Sequence, residues 1–211
     1  MKVTITAYTF AELSPTVAER IRDKIREELI DDNFEAFNES LAYLFESNYG
    51  LCAEPQYSLT YQQGDGFSFT TGNFLSDKIL DLVQAKISVL EGVSPLYEHL
   101  LELYNKVRSS KALIVPIASH WRYPYAAKCD VKFDYFEADL ADDFDCPAAV
   151  EKFEEILLEI YLGICKEFED IGYKAYDIDN SLVEQIADES LYLPDGTVVG
   201  DKETLIEGEN L

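Results

Sequence analysis

Two short stretches gather the side chains best suited to chemistry. Tyr61 to Phe69, YQQGDGFSF, sets the amides of Gln62 and Gln63 beside Asp65, which lies between two glycines. Ser119 to Tyr125, SHWRYPY, gathers Ser119, His120, the only tryptophan, Arg122 and Tyr123. Amides orient a polar ligand, a guanidinium grips an anion, and aromatic faces stack on flat or cationic groups. Gln62, Gln63, Asp65, Ser119, His120, Arg122 and Tyr123 therefore form a candidate site for a small molecule or nucleotide. If that site hydrolyses its ligand, His120 and Asp65 are the base and its orienting partner. Plainer readings stay open beside it: a tight turn for the first stretch, and aromatic packing with a surface arginine for the second.

Known catalytic patterns narrow the choice. G-D-G lacks the G-x-G-x-x-G spacing and the following lysine of phosphate-cradling loops. No G-x-S-x-G, H-E-x-x-H or kinase-type set is present. No catalytic residue is assigned, and binding is the stronger expectation. Cys52, Cys129, Cys146 and Cys165 are isolated in sequence, which predicts reduced, mostly buried thiols and no structural metal. DIDNSLVEQIAD, from Asp177, offers carboxylates at loop-like offsets. Leu182, however, occupies the position where a calcium loop turns on glycine, and Asp188 replaces the closing glutamate, so a helix cap is expected there. No cofactor is expected.

Charge is the strongest compositional signal. The chain of 211 residues has 41 acidic and 17 basic side chains, a net of −24. Residues 130–211 hold 24 of the acidic and only 5 of the basic residues. Such a field repels phosphate backbones, so direct nucleic-acid binding is not expected. It steers the chain towards basic protein surfaces, including the nucleic-acid clefts of other proteins. Two acidic patches are the candidate partner-binding residues: Asp139, Asp142, Asp143 and Asp145, and, on the polar side of a long helix, Glu154, Glu155 and Glu159. No run approaches the roughly 18 apolar residues of a membrane span, and the first ten residues lack a secretory leader. A soluble, cytoplasmic protein is expected.

The elements that must position these residues follow from periodicity. KVTITAYTF alternates as a strand. Ser14 and Pro15 start a helix with an apolar stripe at Val17, Ile21, Ile25 and Leu29. Asp31-Asp32-Asn33 either bends or breaks it before a second stripe that ends near Gly50. YSLTYQQ and FSFTT read as a β-hairpin about Gly64-Asp65-Gly66. Two helices over residues 74–108 precede two more strands, the first demoted to an edge or a bulge by Pro116. A long acidic helix carries Val150, Phe153, Ile156, Leu157, Ile160, Tyr161, Ile164 and Phe168 on its apolar face. A short helix near residues 181–189 and a small hairpin turning at Pro194-Asp195-Gly196 complete the pattern. The expected fold is α+β, a mostly antiparallel sheet packed with helices, in a single domain over residues 1–211 whose acidic portion is about 130–211.

Four pieces in order, FAELSPTVAERIRDKIRE, YSLTYQQGDGFSF, SHWRY and LYLPDGTVV, resemble a family of phage and mobile-element proteins loosely labelled antitoxins of toxin–antitoxin systems. Pro124 and Tyr125 stand where that family usually carries a second histidine. The resemblance implies an accessory role in a host cell. With the charge, it gives the leading expectation: a phage-type acidic protein that binds and inhibits a host protein, as an anti-defence inhibitor or an antitoxin, by imitating nucleic acid. If it is phage-encoded, that role places it in the host cytoplasm. The alternative is the small-molecule or nucleotide binder built on the two polar loops.

Overall fold

The structure is a computed structural model and describes residues 6–61, 65–110, 113–119, 130–136 and 144–201. The fold is α+β. The chain divides into two compact units, residues 1–37 with 174–211, and residues 38–173.

In the first unit, β1 (Tyr8–Thr9) pairs antiparallel with β6 (Ser190–Tyr192), which pairs antiparallel with β7 (Val198–Asp201). A two-residue strand is all that the expected N-terminal strand contributes among the described residues. A local cap follows it, in which Thr9 donates from both its N–H and its hydroxyl to the Glu12 carboxylate at 2.8 Å. Helix α1 (Pro15–Leu44) then begins, with the Ser14 carbonyl accepting from Val17 and Ala18. Ile21 and Ile25 are buried with Phe10, Ala18, Val183, Ala187 and Tyr192, and Val17 and Leu29 flank them. The predicted stripe is therefore the core face. Gly196 turns the β6–β7 hairpin at φ +87°, and a Cβ there would stand 2.9 Å from Val17 Cγ1. Only glycine fits that turn.

Helix α1 passes through Asp31-Asp32-Asn33 without a break. Each of these residues costs only about 0.7 kcal/mol relative to alanine inside a helix, too little to stop one with apolar stripes on both sides. Asn33 also donates from its side chain to the Ala175 carbonyl at 3.1 Å. The helix ends in a wider π-type turn, Phe45–Tyr49, closed by Gly50 at φ +64°.

The second unit is built around aromatic rings. Strands β2 (Ala53–Ser58) and β3 (Gly66–Thr71) form one antiparallel pair, and β4 (Leu113–Ser119) and β5 (Asp130–Phe136) another. Among the described residues the strands make small antiparallel sheets rather than one broad sheet. Helices α2 (Asp77–Ser88) and α3 (Tyr97–Ser110) supply Ile79, Val83, Leu100 and Tyr104 to the core, and α4 (Pro147–Tyr173) supplies Phe153, Leu157, Tyr161 and Phe168. Phe45 stacks on Phe168 at 4.2 Å, and Phe69 stacks on Tyr161 at 4.6 Å. Pro55, opposite Phe69 in the β2–β3 register, has no N–H to give a ladder. Phe69 finds its partner in the buried Tyr161 hydroxyl, which accepts from its N–H at 3.1 Å and donates to its carbonyl at 2.9 Å. Pro116 sits in β4, which among the described residues pairs with β5 alone and is thus an edge strand, as its proline requires. The chain continues after α4 through a 3₁₀ turn into α5 (Asn180–Glu189), which belongs to the first unit.

Candidate functional site

The hairpin connection is held by Asp65. Its carboxylate accepts from the Ser58 hydroxyl at 2.9 Å, from the Thr60 hydroxyl at 3.1 Å and from the Thr60 N–H. These bonds span the two ends of the connection, so the charge that looked available for chemistry stabilises the turn. Tyr61 adopts φ +56°, an uncommon conformation for an aromatic residue. Its ring stacks on Tyr173, at the end of α4, with centroids 4.6 Å apart. The Tyr173 phenol is pushed above its ordinary range, chiefly by burial and then by the charges of Asp65 and Glu169. Asp65 and Tyr61 thus tie the loop's base to α4.

Gln62 and Gln63 lie outside the described residues, as do His120, Arg122 and Tyr123. Ser119 is the last residue of β4, in register with Asp130 of β5. The expected meeting of Asp65 with His120 therefore falls outside what is described. Among the described residues, no buried side-chain nitrogen or oxygen lacks a hydrogen-bond partner. No group of three or more His, Cys, Asp or Glu side chains there is placed to hold a metal ion. Asp179 caps α5, accepting from Ser181 N–H and from its hydroxyl, both at 2.8 Å. The backbone bond above all lowers its carboxyl pKa below the usual aspartate value.

Cys129 lies outside the described residues, and the other three thiols differ in exposure. Cys165 is buried and Cys146 half-buried, but Cys52 is exposed. It immediately precedes β2, where side chains alternate between faces, and it falls on the outward one.

Of the first acidic patch, Asp139, Asp142 and Asp143 lie outside the described residues, and Asp145 is exposed just before α4. On α4 itself Glu155 and Glu159 are exposed, while Glu154 is half-buried. One residue is about 100° of helix rotation, which carries Glu154 towards the packed side. Glu155 pairs with Lys152 at 2.8 Å, and Glu159 pairs with Lys86 of α2 at 2.6 Å. The hydrogen bond from Lys86 lowers the Glu159 pKa. Glu151, Glu167 and Asp170 are also exposed on this helix; Lys166 pairs with Asp170 at 2.8 Å, and Glu167 accepts from the Tyr49 hydroxyl.

Two features were not expected from sequence. A pocket of about 650 Å³ is lined by Gly50, Cys52, Glu54, Thr70, Thr71, Gly72, Asn73 and Ser76. Its main polar groups are already used, since Asn73 accepts from the N–H groups of Leu75 and Ile114, and Ser76 caps α2. A second hollow, about 530 Å³, lies between α2 and α4 and is largely apolar. Local periodicity marks which residues turn inward but not where two helices leave a gap.

Compared with known proteins, the chain matches no family model, no curated protein and no solved structure. No described helix is long and apolar enough to cross a membrane.

Proposed function

We propose that this chain is an acidic binding protein that engages a basic surface on a host protein, in the manner of an antitoxin or an anti-defence inhibitor, and occupies a cleft meant for nucleic acid. The observation that carries this reading is the exposed carboxylate row of α4, at Glu151, Glu155, Glu159, Glu167 and Asp170, within a portion of the chain whose net charge is −19. A helix whose apolar face is spent on the core leaves that row for solvent or for a partner. Carboxylates at that density imitate the charge, though not the stacking, of a phosphate backbone. In this role the chain works in the cytoplasm of the host cell.

The reading as a small-molecule or nucleotide binder draws less support. Asp65, its proposed acid–base element, is committed to Ser58 and Thr60.

Affinity capture from host lysate across a salt series tests the proposal. Partners held at low salt, released at high salt and displaced by added nucleic acid are expected. A partner that binds nucleic acid and this chain at the same time would contradict the mimicry.

A further inference from the structure

The hollow between α2 and α4 has the makings of a docking groove. Leu82, Ala85 and Val89 follow one another at i, i+3 and i+7 along α2 and its C-cap, and all three are exposed; Leu82 is 41% and Val89 78% accessible. Facing them from α4 are Ile160 and Ile164, buried at the base, with Gly163 between. Gly163 lies in mid-helix, where glycine weakens a helix relative to alanine. Close packing does not explain it, because no atom beyond its chain neighbours and its own helix backbone comes within 4 Å of where a Cβ would stand. The missing side chain leaves the groove open.

The rim defines the occupant. Glu159 and Glu167 border the groove on α4, about 12 Å apart along the helix axis. Lys86 bonds Glu159, and the Tyr49 hydroxyl donates to Glu167. Burial and the Glu167 carboxylate both raise the Tyr49 pKa, so that phenol stays a donor. The two carboxylates therefore bracket slightly more than two helical turns. Lys86 already matches Glu159, so the rim carries one net negative charge, at Glu167, and a segment with an apolar stripe and a net positive charge complements it. A second copy of the chain, at net −24, is repelled by charge.

We infer that the α2–α4 groove of Leu82, Ala85, Val89, Ile160, Gly163 and Ile164 docks a cationic amphipathic helix of a partner protein. The inference rests on the reading of the chain as a binder of basic protein surfaces, and gives that reading an apolar anchor.

The probe is a fluorescent synthetic helix of about 18 residues, long enough to hold helical structure, with leucines repeating at i, i+4 and i+7, alanines and glutamines at most other positions and a few lysines near the ends. A scrambled peptide of identical composition is the control. The amphipathic peptide should bind at least about tenfold more tightly than the scrambled one. Gly163→Leu fills the groove from a position with room for it, and should abolish that preference while the melting temperature stays level or rises. Leu82→Ala and Val89→Ala, both away from the core, should each weaken amphipathic binding roughly threefold and leave scrambled binding unchanged. Equal binding of both peptides, lost at high salt, would overturn the groove and leave the charge reading standing. Binding of neither peptide would sink both. Self-association of the parent chain that Gly163→Leu abolishes would assign the groove to a second copy and overturn the inference.

Discussion

The Tyr161 hydroxyl serves both polar groups of Phe69, and its position in the core gives it no water to fall back on. Replacing it with phenylalanine keeps the ring stack and leaves a buried N–H and C=O without their partner. Tyr161→Phe should cost about 1–3 kcal/mol in urea unfolding, and an unchanged midpoint would show that the backbone pair is satisfied in another way. Asp65 is the corresponding case at the loop. Asp65→Ala removes an ionised acceptor from Ser58 and Thr60, and should cost about 1.5 kcal/mol in the same measurement. The loop's composition was legible in the sequence, since glycine and aspartate mark a turn. The use of the carboxylate was not, because it depends on Ser58 and Thr60 being folded back across the hairpin. Cys52 shows the same limit: cysteine is usually buried, but its place in the strand pattern turns it outward.

Elements with strong local period are the ones the sequence made plain. Ile21 and Ile25 on α1, and Phe153, Leu157, Ile164 and Phe168 on α4, are buried as their spacing predicts, with Val17 partly buried beside them. The break considered at Asp31-Asp32-Asn33 is absent, because propensity is a weak term beside two apolar stripes. The partition of the strands into small sheets was hidden for another reason. Alternation reveals that a segment is extended and says nothing about which neighbour takes its hydrogen bonds, as β1 and β6 illustrate from opposite ends of the chain.

The ends of two elements also carry a pH signature. Asp179 caps α5, and Asp195 accepts from the Thr197 N–H at 2.9 Å in the β6–β7 turn; both carboxyls are lowered, mainly by these backbone bonds. A lowered folded-state pKa means that their stabilisation is complete above the unfolded value and is lost as pH falls through the folded one. Carboxyl carbon titrations should therefore give midpoints below ordinary aspartate for both, with the Ser181 and Thr197 amides shifting in step. Midpoints at the ordinary value would remove the caps from the account.

At the scale of the whole molecule, the charge is too large and too unevenly spread along the chain to act as scattered pairs. The pairs that do form, such as Glu155 with Lys152 and Glu159 with Lys86, are exposed and contribute little to stability. Their carboxylates can be altered at small cost to the fold. Glu155→Gln with Glu159→Gln should melt close to the parent, while Asp139, Asp142, Asp143 and Asp145 can be neutralised together as a second, independent patch. The most direct test is the association rate of the captured partner with the parent chain and with each neutralised variant, followed across salt and in competition with nucleic acid. The account predicts a fast, salt-sensitive on-rate for the parent, a slower one for at least one variant with little change in dissociation, and mutual exclusion with nucleic acid. On-rates that are equal in all three proteins at low salt, or simultaneous binding of nucleic acid, would contradict it.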